Sequence, residues 1–339
     1  MDHKRPAPPA WPELPGTKTD SDDRLAWCAG VARWAPSKHN TQPWRFVLQD
    51  SDLDIWTDPS RILANTDPHR REMLISCGAA VQFACVAARS LGYQPLVDLL
   101  PRGAGGPAAR LTAVDRCEVT DDDRGLLGAV RDRRTDRGPL DGDALPVGLP
   151  FLLQSAAAAL GAELRLVSTP GDRATLAALV ASADRLLVRS DHYDAELAPW
   201  LREPGDERRD GVLTDHTRGA AASYRAEFVQ RDFSSSTSQP APYQPRPDRP
   251  LLSVLCTQTD DPRSWLRAGQ ALGAILLRAA VAGAHASYLN QPVEHGPSRV
   301  LLHDQLELNG VAQLVLRIGV GSQVTPAARR DMDDVVFRA

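Results

Sequence analysis

Two clusters of side chains carry the types and spacing that could do chemistry. The first is Pro36-Ser37-Lys38-His39-Asn40-Thr41-Gln42-Pro43-Trp44. Proline, serine and asparagine within five residues make a turn rich in hydrogen-bond donors and free backbone amides. Gln42 precedes a proline and is expected to be extended, because that position is pushed out of the helical region. A donor-rich loop of this kind between a helix and a strand is good geometry for gripping a flat, polar-edged cofactor. The second cluster is Arg133-Arg134-Thr135-Asp136-Arg137. Its guanidinium groups offer the paired N–H geometry that matches a phosphate, which lysine matches less well.

Elements that would position these clusters are legible as helices alternating with a few strands, an α+β pattern. Helices are expected over Asp22 to Trp34, Asp121 to Arg131, Phe151 to Leu160 and, as one long element, Asp172 to Trp200. Strands are expected over Trp44 to Leu48, Leu53 to Trp56, Leu111 to Val119, Leu164 to Ser168, Leu251 to Thr257 and Val311 to Gly319. Two Ala-rich helices repeat one pattern. The interval from Gly78 to Gly92 equals that from Gly269 to Gly283, with Ala80 matching Ala271 and Ala88 matching Ala279. Both are apolar nearly all round, which marks buried helices, and both end in a glycine suited to a left-handed cap before an extended segment.

Composition narrows the function classes. The chain has 339 residues and a formal net charge of −4, so no global field points to nucleic acid or an anionic membrane. Five cysteines without a CxxC pair read as reduced thiols of a cytoplasmic protein, with neither a disulfide frame nor a zinc site. The eight histidines lack metal-ligand spacing. No uninterrupted apolar run approaches the length of a membrane span. Dinucleotide-binding, Walker and Gly-x-Ser-x-Gly motifs are lacking. Residues 1–21 are expected to form a flexible tail. The segment from Thr214 to Pro250 is serine- and proline-rich, and at this length it reads as a lid or a disordered loop.

The Pro-Ser-x-x-Asn-x-Gln-Pro-Trp order, set between a helix and a strand, resembles the flavin-contacting loop of the nitroreductase family, whose members bind FMN and are normally homodimers. The Asp-Pro-x-Arg-Arg-Glu run at Asp67 to Glu72 resembles the actinobacterial Acg-type subgroup. That resemblance implies two nitroreductase-like halves fused in one chain, residues 22–120 and 121–339, with each central helix standing for one subunit's interface helix. It implies cofactor contacts from Pro36, Ser37, Lys38 and Asn40, with Arg133 on the phosphate, Thr135 supporting it and Arg137 at the flavin N1/O2 edge. It adds Arg329 and Arg330 closing over the phosphate, and the backbone of the extended Ser287 to Gln291 segment, with Leu289, Asn290 and Gln291, near N5. Asp210 and Gly211 are weaker candidates for the ring edge, and His39 is a further candidate to face the flavin. Half one keeps the loop and lacks the arginines; half two keeps the arginines, and Ala158 to Leu164 replaces the loop. One FMN per chain is the expectation, with no metal, no catalytic side chain and a monomer, since fusion removes the reason to dimerise.

Two functions follow from the resemblance. In the first, hydride from NADPH or NADH passes by way of flavin N5 to a nitro, quinone or enone acceptor, or the reaction runs backwards as a dehydrogenation. In the second, a covered site sequesters FMN without turnover. A third, an interaction module that has lost its flavin, fits less well with the retained arginines.

Overall fold

The computed structural model describes residues 11–16, 20–188, 191–203, 205–214, 228–229, 248–322, 324 and 326–339. Most of the 214–250 segment expected to be a lid therefore lies outside the described residues. Helix α1 (Ser21–Ala32) starts where the Asp20 carboxylate accepts from the Asp23 amide at 2.8 Å, satisfying a donor that the helix cannot. It delivers the chain to the Pro36 loop. β1 (Trp44–Gln49) follows and turns at once into β2 (Asp52–Thr57). Asp50 and Ser51 both have positive φ, as a two-residue hairpin of matching twist requires. Then come α2 (Arg71–Ser90), β3 (Tyr93–Leu99), β4 (Ala109–Arg116) and α3 (Asp121–Asp132), the last begun by a reciprocal Thr120–Asp123 capping box.

In the second part of the chain, α4 (Leu149–Ala158) leads to β5 (Ala162–Leu166). α5 (Pro170–Val188) and α6 (Asp191–Leu197) lie within the stretch expected as a single helix, with residues 189–190 between them outside the described residues, and the short strands β6 (Leu201–Arg202) and β7 (Val212–Leu213) come next. β8 (Leu251–Thr257), α7 (Pro262–Val281), β9 (His285–Tyr288), α8 (Gln291–Glu294), α9 (Gly296–Gln305), β10 (Val311–Gly319), α10 (Met332–Val335) and β11 (Val336–Arg338) complete the described elements.

The sheets expose the duplication. One has the order β11-β1-β2-β4-β3 and the other β5-β8-β10-β9. Without β11 the two orders are the same, with α2 and α7 at corresponding places after the second strand. Strand β11 pairs parallel with β1, so the end of the chain completes the first sheet and carries Arg329 back to the Pro36 loop.

Helices α2 and α7 cross at the repeated glycines. A Cβ on Gly78 would lie 2.1 Å from the Leu266 carbonyl oxygen, and one on Gly269 would lie 2.0 Å from the Ile75 oxygen. The two backbones touch there, which only glycine permits. By length and composition α2 could cross a membrane, but it is largely buried in the core and packs on α1 and α7.

Within the expected tail, Trp11 and Pro12 have contacts with the body of the protein. They lie against α1 and the residues after it, where the Pro12 carbonyl accepts from Trp27 Nε1 at 3.2 Å and the Trp11 ring packs on Trp34. Two buried aromatic partners hold these two residues in a stretch that composition alone marks as polar.

Candidate functional site

A cavity of about 170 Å³ lies where the loop after α1, the residues after α3, the start of α2, the end of β9 and the C-terminal segment converge. Pro36, Ser37, Lys38, Asn40, Arg133, Thr135, Arg137, Asn290, Gln291 and Arg329 line it, as do His39 and Gly211. Leu289 and Arg330 do not. Leu289 is fully buried in the core beyond β9, and its amide donates to Val315 O at 3.0 Å. Arg330 turns toward Asp58 and the Asp334 carbonyl. The segment expected to stay extended to Gln291 is strand only to Tyr288, and Asn290 is already helical at the start of α8.

The loop is held in an unusual backbone. His39, Asn40 and Gln42 have φ of 49°, 53° and 50°. Asn tolerates this region, whereas His and Gln are strained there and stay only because the surroundings fix them. Gln42 does avoid the right-handed helical region, as the following proline demands, but it does so in the left-handed region and not in the extended one. Its amide donates to Ser37 Oγ at 2.9 Å, and its side chain accepts from Arg330 N and donates to Arg209 O, both at 2.8 Å.

Asn40 is the hub of the loop. Its Nδ2 donates to Gly211 O and Ala328 O, and its Oδ1 accepts from Arg329 Nη1, all at 3.1 Å. The side chain therefore ties three distant segments into one wall. Lys38 also works within the protein: its ammonium pairs with Glu72, lies 3.6 Å from Glu294 and donates to Thr66 O at 3.0 Å. Glu72 is buried, and so is Asp67, whose carboxylate accepts the Glu72 and Met73 amides. Burial, with the Glu72 charge beside it, raises the Asp67 pKa to about 6.

The arginines show the opposite condition. Arg133 follows directly on α3 and is only 8% exposed, yet its Nε and Nη1 have no hydrogen-bond partner. Among the described residues neither Arg133 nor Arg329 has an ion pair. Arg329 spends Nη2 on Trp34 O at 3.1 Å and leaves Nε unpartnered. Burial lowers the pKa of both, that of Arg329 strongly, with Arg133, Arg134 and Arg33 adding repulsion. Buried cations without counter-charge are costly, so this is a place built for an anion. Thr135 bridges to Ala286 of β9, and the Asp136 amide donates to Ala286 O at 3.0 Å, which presents the arginine run across the cavity from the Pro36 loop.

Several lining residues escaped the sequence reading as site residues: Trp34, Ser76 and Glu294, with Glu72 and Tyr288 quoted only as parts of longer runs. For Tyr288 a signal existed, since side chains alternate along a strand and a core-facing Leu289 puts its neighbour on the other face. Burial raises the Tyr288 pKa, opposed by Arg133 and Arg137. Among the described residues no group of three or more His, Cys, Asp and Glu side chains is placed to hold a metal ion.

No family model matches the chain. A Mycobacterium tuberculosis protein provisionally named NAD(P)H nitroreductase is 32% identical over 308 residues, covering 89% of this chain and 88% of its own. Another from the same organism, the provisionally named NAD(P)H nitroreductase acg, is 30% identical over 311 residues, covering 89% of this chain and 92% of its own. A solved nitroreductase with bound FMN from Desulfitobacterium hafniense shares 12% identity with a TM-score of 0.42, over 62% of this chain and 96% of its own. At that score the likeness carries no weight here.

Proposed function

The chain belongs to the NAD(P)H nitroreductase family, and from that premise we propose that it is an FMN-dependent oxidoreductase with a single cofactor per chain, using NAD(P)H and a small nitro, quinone or enone acceptor. The observation that carries the reading is Arg133, a buried guanidinium with two unpartnered nitrogens on the cavity wall. The residues present fit FMN. Arg133 and Arg329 would hold its phosphate, Thr135 would support them, and Arg137 would face the N1/O2 edge. Pro36 and Ser37 would line the ring from the opposite wall. Bound FMN would supply the two-electron chemistry, taking hydride from the nicotinamide and giving it to the acceptor.

The chain's own part is to bind and orient. Arg137 favours the negative charge that a reduced ring gains, and the Asn40 hub holds the loop at a fixed distance from the arginines. Arg330 and Leu289 support that frame from behind in this reading. A single site per chain is favoured because α4 runs into β5 through a tight turn at Gly161, leaving no second loop of this kind. The α2–α7 crossing already supplies the pairing of two interface helices, which favours a monomer, and five free cysteines suit a reducing, cytoplasmic setting.

Adding NADPH anaerobically to the flavin-loaded protein tests the activity. Bleaching within seconds supports turnover. Flavin that stays oxidised with NADPH and NADH yet bleaches with dithionite would replace turnover by sequestration.

A further inference from the structure

We infer that Trp11 is a positioning residue for the two anion-holding arginines, bracing the ends of α1 and α3 against each other from outside the cavity and so prolonging the residence of a bound flavin. The inference rests on the FMN reading above. Trp11 does not line the cavity; it stands behind the residues that do. Its ring meets that of Trp34 at a centroid distance of 5.6 Å and an interplanar angle of 58°. On its other side the Arg131 guanidinium lies 5.5 Å from the ring centroid. One side chain thus touches the chain just after α1 and the last turn of α3.

Both contacts lead directly to the anion site. Trp34 is a cavity wall, and its carbonyl accepts from Arg329 Nη2 at 3.1 Å. Arg131 sits two residues before Arg133, and its carbonyl accepts from Arg134 Nη1. Helix ends fray, because their last carbonyls lack partners within the helix. Here the tendency is reinforced by charge, since Arg133, Arg134 and Arg33 each repel the buried Arg329, offset only in part by Asp132 beside Arg134 and Asp331 beside Arg33. Trp11 opposes that repulsion with an aromatic pair and a cation–π contact, each of a strength that geometry of this kind normally supplies. Its own position is fixed by Pro12, whose carbonyl is held by Trp27 and whose ring lies against Gly30; a Cβ on Gly30 would stand 3.2 Å from it.

The test uses the full chain loaded with FMN and follows free-flavin fluorescence after dilution. Trp11→Ala should release FMN about fivefold faster or more, since losing one such contact pair is worth close to a factor of ten. Trp11→Phe keeps an aromatic face and should return release to within about twofold of wild type. Arg131→Ala removes an exposed side chain without risk to the fold and should accelerate release about twofold or more. The double variant Trp11→Ala/Arg131→Ala should be no faster than Trp11→Ala alone, because both break one brace. Far-UV circular dichroism and the melting temperature of the flavin-free protein separate bracing from collapse. If Trp11→Ala is folded and releases FMN at the wild-type rate, or Trp11→Phe is as fast as Trp11→Ala, the brace is overturned while the cofactor reading stands. If Trp11→Ala does not fold, a wild-type rate in Arg131→Ala overturns it. A wild-type chain that retains no FMN refutes the cofactor reading, and this inference with it.

Discussion

Alanine at the helix crossing is the sharpest perturbation the fold offers. On an open helix face Gly→Ala stabilises by about 1 kcal/mol, through backbone entropy. Gly78 and Gly269 should reverse that sign. Their added methyls would stand 2.1 and 2.0 Å from carbonyl oxygens of the opposite helix, against an ordinary contact of 3.4–4 Å. The obstructing atoms are backbone and cannot rotate away, so α2 and α7 must part along their packed length. Overpacking of side chains costs about 1–3 kcal/mol. A backbone clash at the centre of two 20-residue helices belongs at or above the top of that range. Net of propensity, each single variant should lose about 2–3 kcal/mol, which for a chain of this size lowers the melting temperature by about 3–4 °C. The double variant should lose less than the sum, because helices already parted by one methyl admit the second. Gly125→Ala and Gly128→Ala in α3 serve as controls, with nothing within 4 Å of either Cβ, and should melt at or above wild type. Thermal unfolding followed by circular dichroism decides it. A Gly78→Ala or Gly269→Ala protein as stable as wild type, or a strictly additive pair, refutes the crossing as described.

Other perturbations read the site itself. Arg133→Met replaces a buried, uncompensated cation by an apolar chain, so the flavin-free protein should melt at or above wild type. FMN affinity, measured by fluorescence quenching, should fall by about 100-fold, close to the value of charge-assisted hydrogen bonds to phosphate. Lys38→Ala leaves the buried Glu72 carboxylate with Arg71 as its cation, 3.5 Å away, and should cost about 1–3 kcal/mol in urea unfolding. Asp67 supplies a pH signature. Its folded pKa of about 6 lies above the unfolded value, so its contribution is complete below about pH 4 and is lost as pH rises through 6. The stability of wild type relative to Asp67→Asn should therefore fall by about 2–3 kcal/mol between pH 4.5 and 7.5, and urea melts that show no such trend would refute the assignment.

Much of the frame was legible because its signals are local. The Pro36 to Trp44 order, the apolar runs of β8 and β10, and the acidic starts of α1 and α3 each declare themselves within a dozen residues. The glycine repeat was legible for a stronger reason: the same close approach is demanded twice, once on each partner of one crossing. What stayed hidden depends on distant partners. Val336–Arg338 is a strand only because β1 offers an edge, and Trp11 is ordered only because Trp34 and Arg131 flank it. The left-handed Gln42 is held by Arg209 and Arg330, far away in sequence. Helices α8 and α9 are short and carry Pro292 and Pro297 at their second positions, so they lack the periodic run that identifies a helix. Reading 287–291 for its backbone alone favoured Leu289 and passed over Tyr288, although strand alternation separates their faces.

The account rests on the arginines being an anion site for one flavin phosphate. Titrating flavin-free protein with FMN, with riboflavin in parallel, tests it most directly. Saturation at a single equivalent of FMN per chain, with riboflavin bound at least about 100-fold more weakly, is the predicted result. Equal affinity for both flavins, or no uptake of either, would contradict it.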